Sequence, residues 1–165
     1  MLLVTSNMAL SETNMPEDLV TYISSFKVPY QLIPVTYLDP YIQEQIKSPV
    51  KVVADFNGNK LNDYALLVKD INGELDLAAF LKTKEGYDYH VLYNFGYIEE
   101  PIGKLRFYIE NMNPSVIQGM LEESNSNKSN YTKIKVSGVH LVFEGKSSKL
   151  YYWNVDKFND IWTSD

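Results

Sequence analysis

Three features of the sequence predict an α+β protein dominated by antiparallel strands. Short runs alternating apolar and polar residues recur through most of the 165-residue chain, separated by turn residues, as strands with one buried face require. Thirteen Tyr, 7 Phe and 2 Trp supply the aromatic side chains that favour strands. Helical spacing is confined to the amino-terminal part and to one mid-chain segment. The expected architecture is a single domain, 1–165, built as a curled or twisted antiparallel sheet of eight or nine strands. One or two amino-terminal helices and one mid-chain helix back it, and it is not a propeller.

Met15, Pro16, Glu17 and Asp18 open the first helix, because proline and acidic side chains suit a first turn. Leu19, Val20, Ile23 and Phe26 share one of its faces. A second helical segment is predicted over 40–47 with Ile42 and Ile46 inward, and a strand over 50–54. Strands over 64–69 and 75–82 flank Asp70-Ile71-Asn72-Gly73-Glu74, and Asn-Gly is a strong hairpin signal. Leu75, Leu77, Ala79 and Leu81 alternate onto one face, and Tyr89, Val91 and Tyr93 alternate in the returning strand, 88–93. Leu105, Phe107 and Ile109 mark another strand. Val116, Ile117, Met120 and Leu121 give 114–122 helical spacing, weakened by Gly119. The small polar residues of 122–130 predict a mobile loop. Closing strands are expected over 132–136, 139–144, 149–153 and 158–162.

The net charge of −6 argues against nucleic acid, whose phosphates require a basic stripe. No run approaches the ~18 apolar residues that span a bilayer, so no membrane insertion is expected of the chain. Cysteine is absent, which removes disulfides, thiol nucleophiles and thiolate metal sites. No lysine or arginine precedes Lys27, so the amino-terminal stretch is too short and uncharged for a signal peptide. Residues 1–14 are expected to be disordered or the remnant of a signal segment.

One motif stands out. Asp55-Phe56-Asn57-Gly58-Asn59-Lys60-Leu61-Asn62-Asp63 places oxygen donors at positions one, three, five and nine, ahead of the strand beginning Tyr64-Ala65-Leu66-Leu67. Calcium takes roughly six to eight oxygens. Asp55, Asn57, Asn59 and Asp63 with the Leu61 carbonyl form a candidate set, and calcium is the one cofactor the sequence suggests. The same residues equally suit an Asx-rich turn that satisfies backbone amides. An EF-hand is excluded, because the glycine is at position four and position twelve is Leu66. The run resembles an FG-GAP or VCBS-type loop, departing from it in having Asn59 at position five and Lys60 at position six. Only one convincing copy occurs, against the several that a propeller needs. The closing segment, Leu150-Tyr151-Tyr152-Trp153-Asn154-Val155-Asp156-Lys157-Phe158-Asn159-Asp160-Ile161-Trp162 with Thr163-Ser164-Asp165, resembles the carboxyl end of small uncharacterised bacterial envelope proteins.

His90 and His140 are the only imidazoles, each on a predicted strand, with His140 expected to face solvent opposite Val139 and Leu141. No nucleophile elbow or phosphate cradle supports catalysis. Glu99-Glu100 and Glu122-Glu123 are adjacent in sequence, diverge in space and read as surface charge. Tyr151, Trp153 and Trp162 are the candidate partner-binding aromatics, suited to stacking on a carbohydrate or anchoring a protein. The expected function is a non-enzymatic binding domain of the bacterial envelope, periplasmic or secreted, with an inhibitor or immunity-like protein as its sharper form. The alternative is a hydrolase of a cell-wall or carbohydrate substrate, using His90 or His140 with a carboxylate.

Overall fold

The computed structural model describes residues 15–99, 101–124 and 133–163. The expectations for 1–14, for Glu100, for the loop beyond Ser124 and for Thr132 lie outside the described residues. So do Ser164 and Asp165.

Helix α1 (Glu17–Ser24) starts where expected, after Pro16 and with Glu17 and Asp18 in its first turn. It buries Leu19 and Ile23. A three-residue strand the sequence reading missed, β1 (Tyr30–Leu32), comes next, then a 3-10 turn at Val35–Tyr37. Helix α2 (Pro40–Gln45) is capped by the Asp39 carboxylate, which accepts the Tyr41 amide. Strands β2 (Lys51–Ala54), β3 (Asp63–Asp70), β4 (Glu74–Lys82) and β5 (Tyr87–Tyr97) follow. Then come β6 (Phe107–Met112), α3 (Pro114–Ser124), β7 (Gly138–Phe143), β8 (Ser148–Asn154) and β9 (Lys157–Thr163). The predicted strand over 132–136 does not form at 133–136. There the Ile134 amide bonds the Gln118 side chain of α3 instead.

The fold is α+β with every strand-to-strand pairing antiparallel. The strands form two sheets and not one curled sheet. In the first, β1 and β2 pair successive stretches of β3, and the order continues through β4 to β5; in the second, the order is β6-β7-β8-β9. The sheets face each other across the main core, where Leu67, Leu75, Leu77 and Leu81 meet Phe107, Ile109, Val139, Leu141 and Tyr151. The opposite face of the first sheet packs Leu66, Val68, Ala78 and Phe80 under Leu19 and Ile23 of α1. The opposite face of the second packs Leu150 under Ile117 and Leu121 of α3. The layers therefore run α1, five strands, four strands, α3, and β3 and β4 are buried on both faces. No described helix is long and apolar enough to cross a membrane.

Candidate functional site

The 55–63 loop closes on itself through its oxygens. Asp55 accepts the amide of Gly58 at 2.7 Å on one carboxylate oxygen and that of Lys60 at 2.8 Å on the other. Asn57 Oδ1 accepts the Asn59 amide, and Asn59 Oδ1 accepts the Leu61 amide. These are consecutive Asx turns, and the backbone crosses into positive φ at Gly58 (84°) and Lys60 (68°) to make them. The structure thus gathers Asp55, Asn57, Asn59 and Leu61 into one exposed turn.

Asp63 is directed elsewhere. It is fully buried, accepting the Phe56 amide at 2.8 Å and the Lys82 amide at 2.7 Å. Burial pushes its carboxyl above the ordinary carboxylate range. The Phe56 and Lys82 amides pull the other way, and the Asp55 charge adds to the rise. Lys82, at the end of β4, is the loop's unexpected partner: its carbonyl also accepts the Asn59 side-chain amide at 2.7 Å, and its ammonium pairs with Asp18 of α1. No signal in the sequence links Lys82 to a loop some twenty residues earlier, because strand pairing creates the proximity. Among the described residues no group of three or more His, Cys, Asp or Glu side chains is placed to hold a metal.

The loop adjoins the β8–β9 hairpin through Phe56, which is fully buried and meets the Phe158 ring edge-on at 6.4 Å. Cross-strand register places Lys149 opposite Trp162, Tyr151 opposite Asp160 and Trp153 opposite Phe158. All six residues lie on the face turned toward the first sheet. Tyr151 is 2% exposed, so it belongs to the inter-sheet core and not to a surface strip. Its phenol has no hydrogen-bond partner, and burial drives its pKa far upward. Trp153 is half-buried, with its ring 5.6 Å from His90.

Trp162 is 57% exposed. It stacks on Phe143 at 6.2 Å and covers the Lys149 ammonium at 5.2 Å. That ammonium also lies 5.3 Å from the Tyr151 ring and 5.9 Å from the Tyr93 ring, and pairs with Asp160 at 2.9 Å. At the hairpin tip Val155, 83% exposed, has φ of 63° and the Asp156 amide bonds the Asn154 carbonyl. That three-residue turn is strained for a β-branched residue.

The two histidines occupy different layers. His140 is not solvent-facing as the alternation implied. It is 9% exposed, because α3 covers the second face of its sheet, and its Nδ1 lies 2.9 Å from Glu110 while Nε2 has no partner. His90 is held edge-on between Trp153 and Phe158. Burial lowers its pKa from the usual 6.5, opposed by Asp88. Folded His90 therefore binds its proton less tightly than the unfolded chain does. Its contribution to stability is complete above 6.5 and is lost as pH falls through that value toward the folded one. The urea midpoint is expected to fall between about pH 7.5 and about pH 5.5, less so in His90→Phe. An unchanged pH dependence in that variant would assign the fall to other groups.

Together these features define an antiparallel two-sheet α+β domain with an Asx-turn loop braced against an aromatic hairpin. Comparison with protein-family models, curated proteins and solved structures finds no significant match for the chain.

Proposed function

We propose that the chain is a non-enzymatic binding domain of the bacterial cell envelope that engages its partner with the β8–β9 hairpin. The observation that carries this reading is Trp162, a large ring left exposed beside the Lys149–Asp160 pair. An anchor of that kind, part apolar and part hydrogen-bonding, is what recognition hot spots use. The strained, exposed Val155 turn supports it, since such strain concentrates at functional sites. The assignment to the envelope rests on the resemblance of the loop and of the closing segment. The test is capture of a partner from a bacterial envelope fraction by the wild-type chain and its loss in Trp162→Ala.

On this reading the 55–63 loop is the degenerate descendant of a calcium loop. Lys60 retains a left-handed conformation at the position where the resembled loops have glycine, and backbone amides engage the donor oxygens. Asp63 is turned into the sheet, where it accepts the Phe56 and Lys82 amides. Calcium up to 10 mM is expected to shift the melting temperature by less than ~1 °C. A site of about 1 mM affinity would instead add roughly 1.4 kcal/mol at that concentration. A rise of roughly 3 °C or more that disappears in Asp55→Ala would restore the metal site.

A second reading, a hydrolase of cell-wall or carbohydrate substrates, is favoured by one observation, the His140–Glu110 pair. The burial of His140 beneath α3 counts against its reaching a substrate.

A further inference from the structure

Strand β9 ends the second sheet, and its backbone is open on one side. The Phe143 amide bonds the Ser147 carbonyl, which fixes the parity of the ladder: odd residues of β8 bond β7, so even residues of β8 bond β9. Ser148, Leu150 and Tyr152 stand opposite Thr163, Ile161 and Asn159. The amides and carbonyls of Phe158, Asp160 and Trp162 therefore point away from β8. The same parity turns the Ile109 amide outward from β6, where the Pro49 carbonyl accepts it. On β9, among the described residues, no strand or backbone hydrogen bond engages the three outward positions.

An unpaired strand edge is a template for another chain, and proteins blunt such edges by shortening, bulging or covering them. The other edges of this protein are treated in those ways. Strand β1 has three residues and β2 four, β5 slips register twice, and β6 is met by the Pro49 carbonyl. Strand β9 has seven residues, holds an unbroken register with β8 and contains no proline. Its one lysine, Lys157, sits at the hairpin tip, beyond the three outward positions.

We propose that β9 is an acceptor edge, to which an extended segment of a partner protein adds as a fifth strand of the second sheet. Backbone bonds to Phe158, Asp160 and Trp162 supply the register, and one partner side chain lies opposite Trp162. The segment is neutral or basic, because the net charge of −6 repels acidic chains. A second copy is disfavoured on the same ground. Moreover, two-fold pairing of β9 with itself through all three outward residues sets Asp160 against Asp160, a destabilising like-charge contact. This rests on the reading of the hairpin as the binding surface and adds the mode of recognition and the class of partner.

The test selects peptides from a random dodecapeptide library on the full chain and titrates them into it by amide NMR. Enriched peptides are expected to be poor in Asp and Glu, and at saturation to slow hydrogen exchange of the Phe158, Asp160 and Trp162 amides about tenfold or more. Asp160→Pro removes one outward amide and leaves the β8 ladder whole, whereas Asp160→Ala loses the same ion pair and keeps the amide. The proline variant should bind at least about tenfold more weakly than the alanine variant. The exchange measurement uses the wild type, so it remains decisive if the proline variant fails to fold. No enriched peptide, enriched peptides that leave the three amides unprotected, or equal binding by the two variants would overturn strand addition. A dimer of the chain alone, lost in Asp160→Pro and kept in Asp160→Ala, would overturn the partner class by making a second copy the occupant. The hairpin reading is judged separately, on retention of an envelope component by the wild type and its loss in Trp162→Ala.

Discussion

Phe56→Ala is expected to lower the melting temperature by roughly 10 °C, the largest effect of any single change in the loop. Phe56 is fully buried although it sits at the second position of a turn whose residues 58–62 are exposed. Its ring joins the core between the two sheets and touches Phe158 of β9. Removing a buried phenyl costs about 3 to 5 kcal/mol, comprising lost transfer energy and the cavity left behind. In a chain of this size each kcal/mol is worth about 2 to 4 °C. Differential scanning calorimetry of the variant checks this. A loss under ~1 kcal/mol would mean that the ring is not part of the core and that the loop does not brace the hairpin.

Asp63→Ala should cost nearly as much, about 2 to 4 kcal/mol. The substitution strands two buried amides, those of Phe56 and Lys82, each now bonded to a carboxylate oxygen. An orphaned buried donor costs about 1 to 3 kcal/mol, and bonds to a charged acceptor lie at the strong end of their range. Part of this is offset, because the buried carboxylate is itself held at an energetic cost that its raised pKa reflects. The two variants share the Phe56 amide, so the double mutant should lose less than the sum of the singles. Denaturant midpoints with an unchanged slope would confirm a native-state effect. Asp55→Ala, whose bonds lie at the surface, should cost less than Asp63→Ala, and the reverse order would contradict the division of the loop into an outer turn and an inner clamp.

Much of this fold was legible in local pattern. The Asn-Gly hairpin between β3 and β4, the proline-led α1 and the last three closing strands all rest on residues a few positions apart, where turn chemistry and alternation act directly. What failed required knowledge of neighbours distant in sequence. His140 was expected to face solvent because Val139 and Leu141 face the core, but alternation does not reveal that α3 covers the other face. Val91 was placed in an alternating set with Tyr89 and Tyr93. The β4–β5 register slips at two places and leaves Leu92 and Phe95 without opposing residues, so Tyr93 turns to the inter-sheet core while Val91 stays on the face of Tyr89, where it is exposed. Such bulges have no signature in this strand's composition. Strand β1 is three residues long and follows Pro29, too short for any period to register.

The candidate site divides the same way. Both forms of the 55–63 loop, metal-binding and Asx-turned, were readable from its spacing, because both use the same oxygens. The direction of Asp63 was not, since it depends on Lys82 arriving through the β3–β4 hairpin. The aromatic hairpin was visible as a cluster, yet its sidedness was misjudged. Tyr151, Trp153 and Trp162 share one face, and only the layer order decides that the first is buried and the last exposed.

The binding-domain account is tested most directly by immobilising the wild-type chain and Trp162→Ala at equal density and passing a solubilised bacterial envelope fraction, proteins and glycans included, over both. The account predicts a component retained by the wild type and reduced at least about tenfold on the variant, as loss of a central aromatic anchor implies. Equal retention on the two surfaces, or none on either while the chain releases products from cell-wall material, would contradict it.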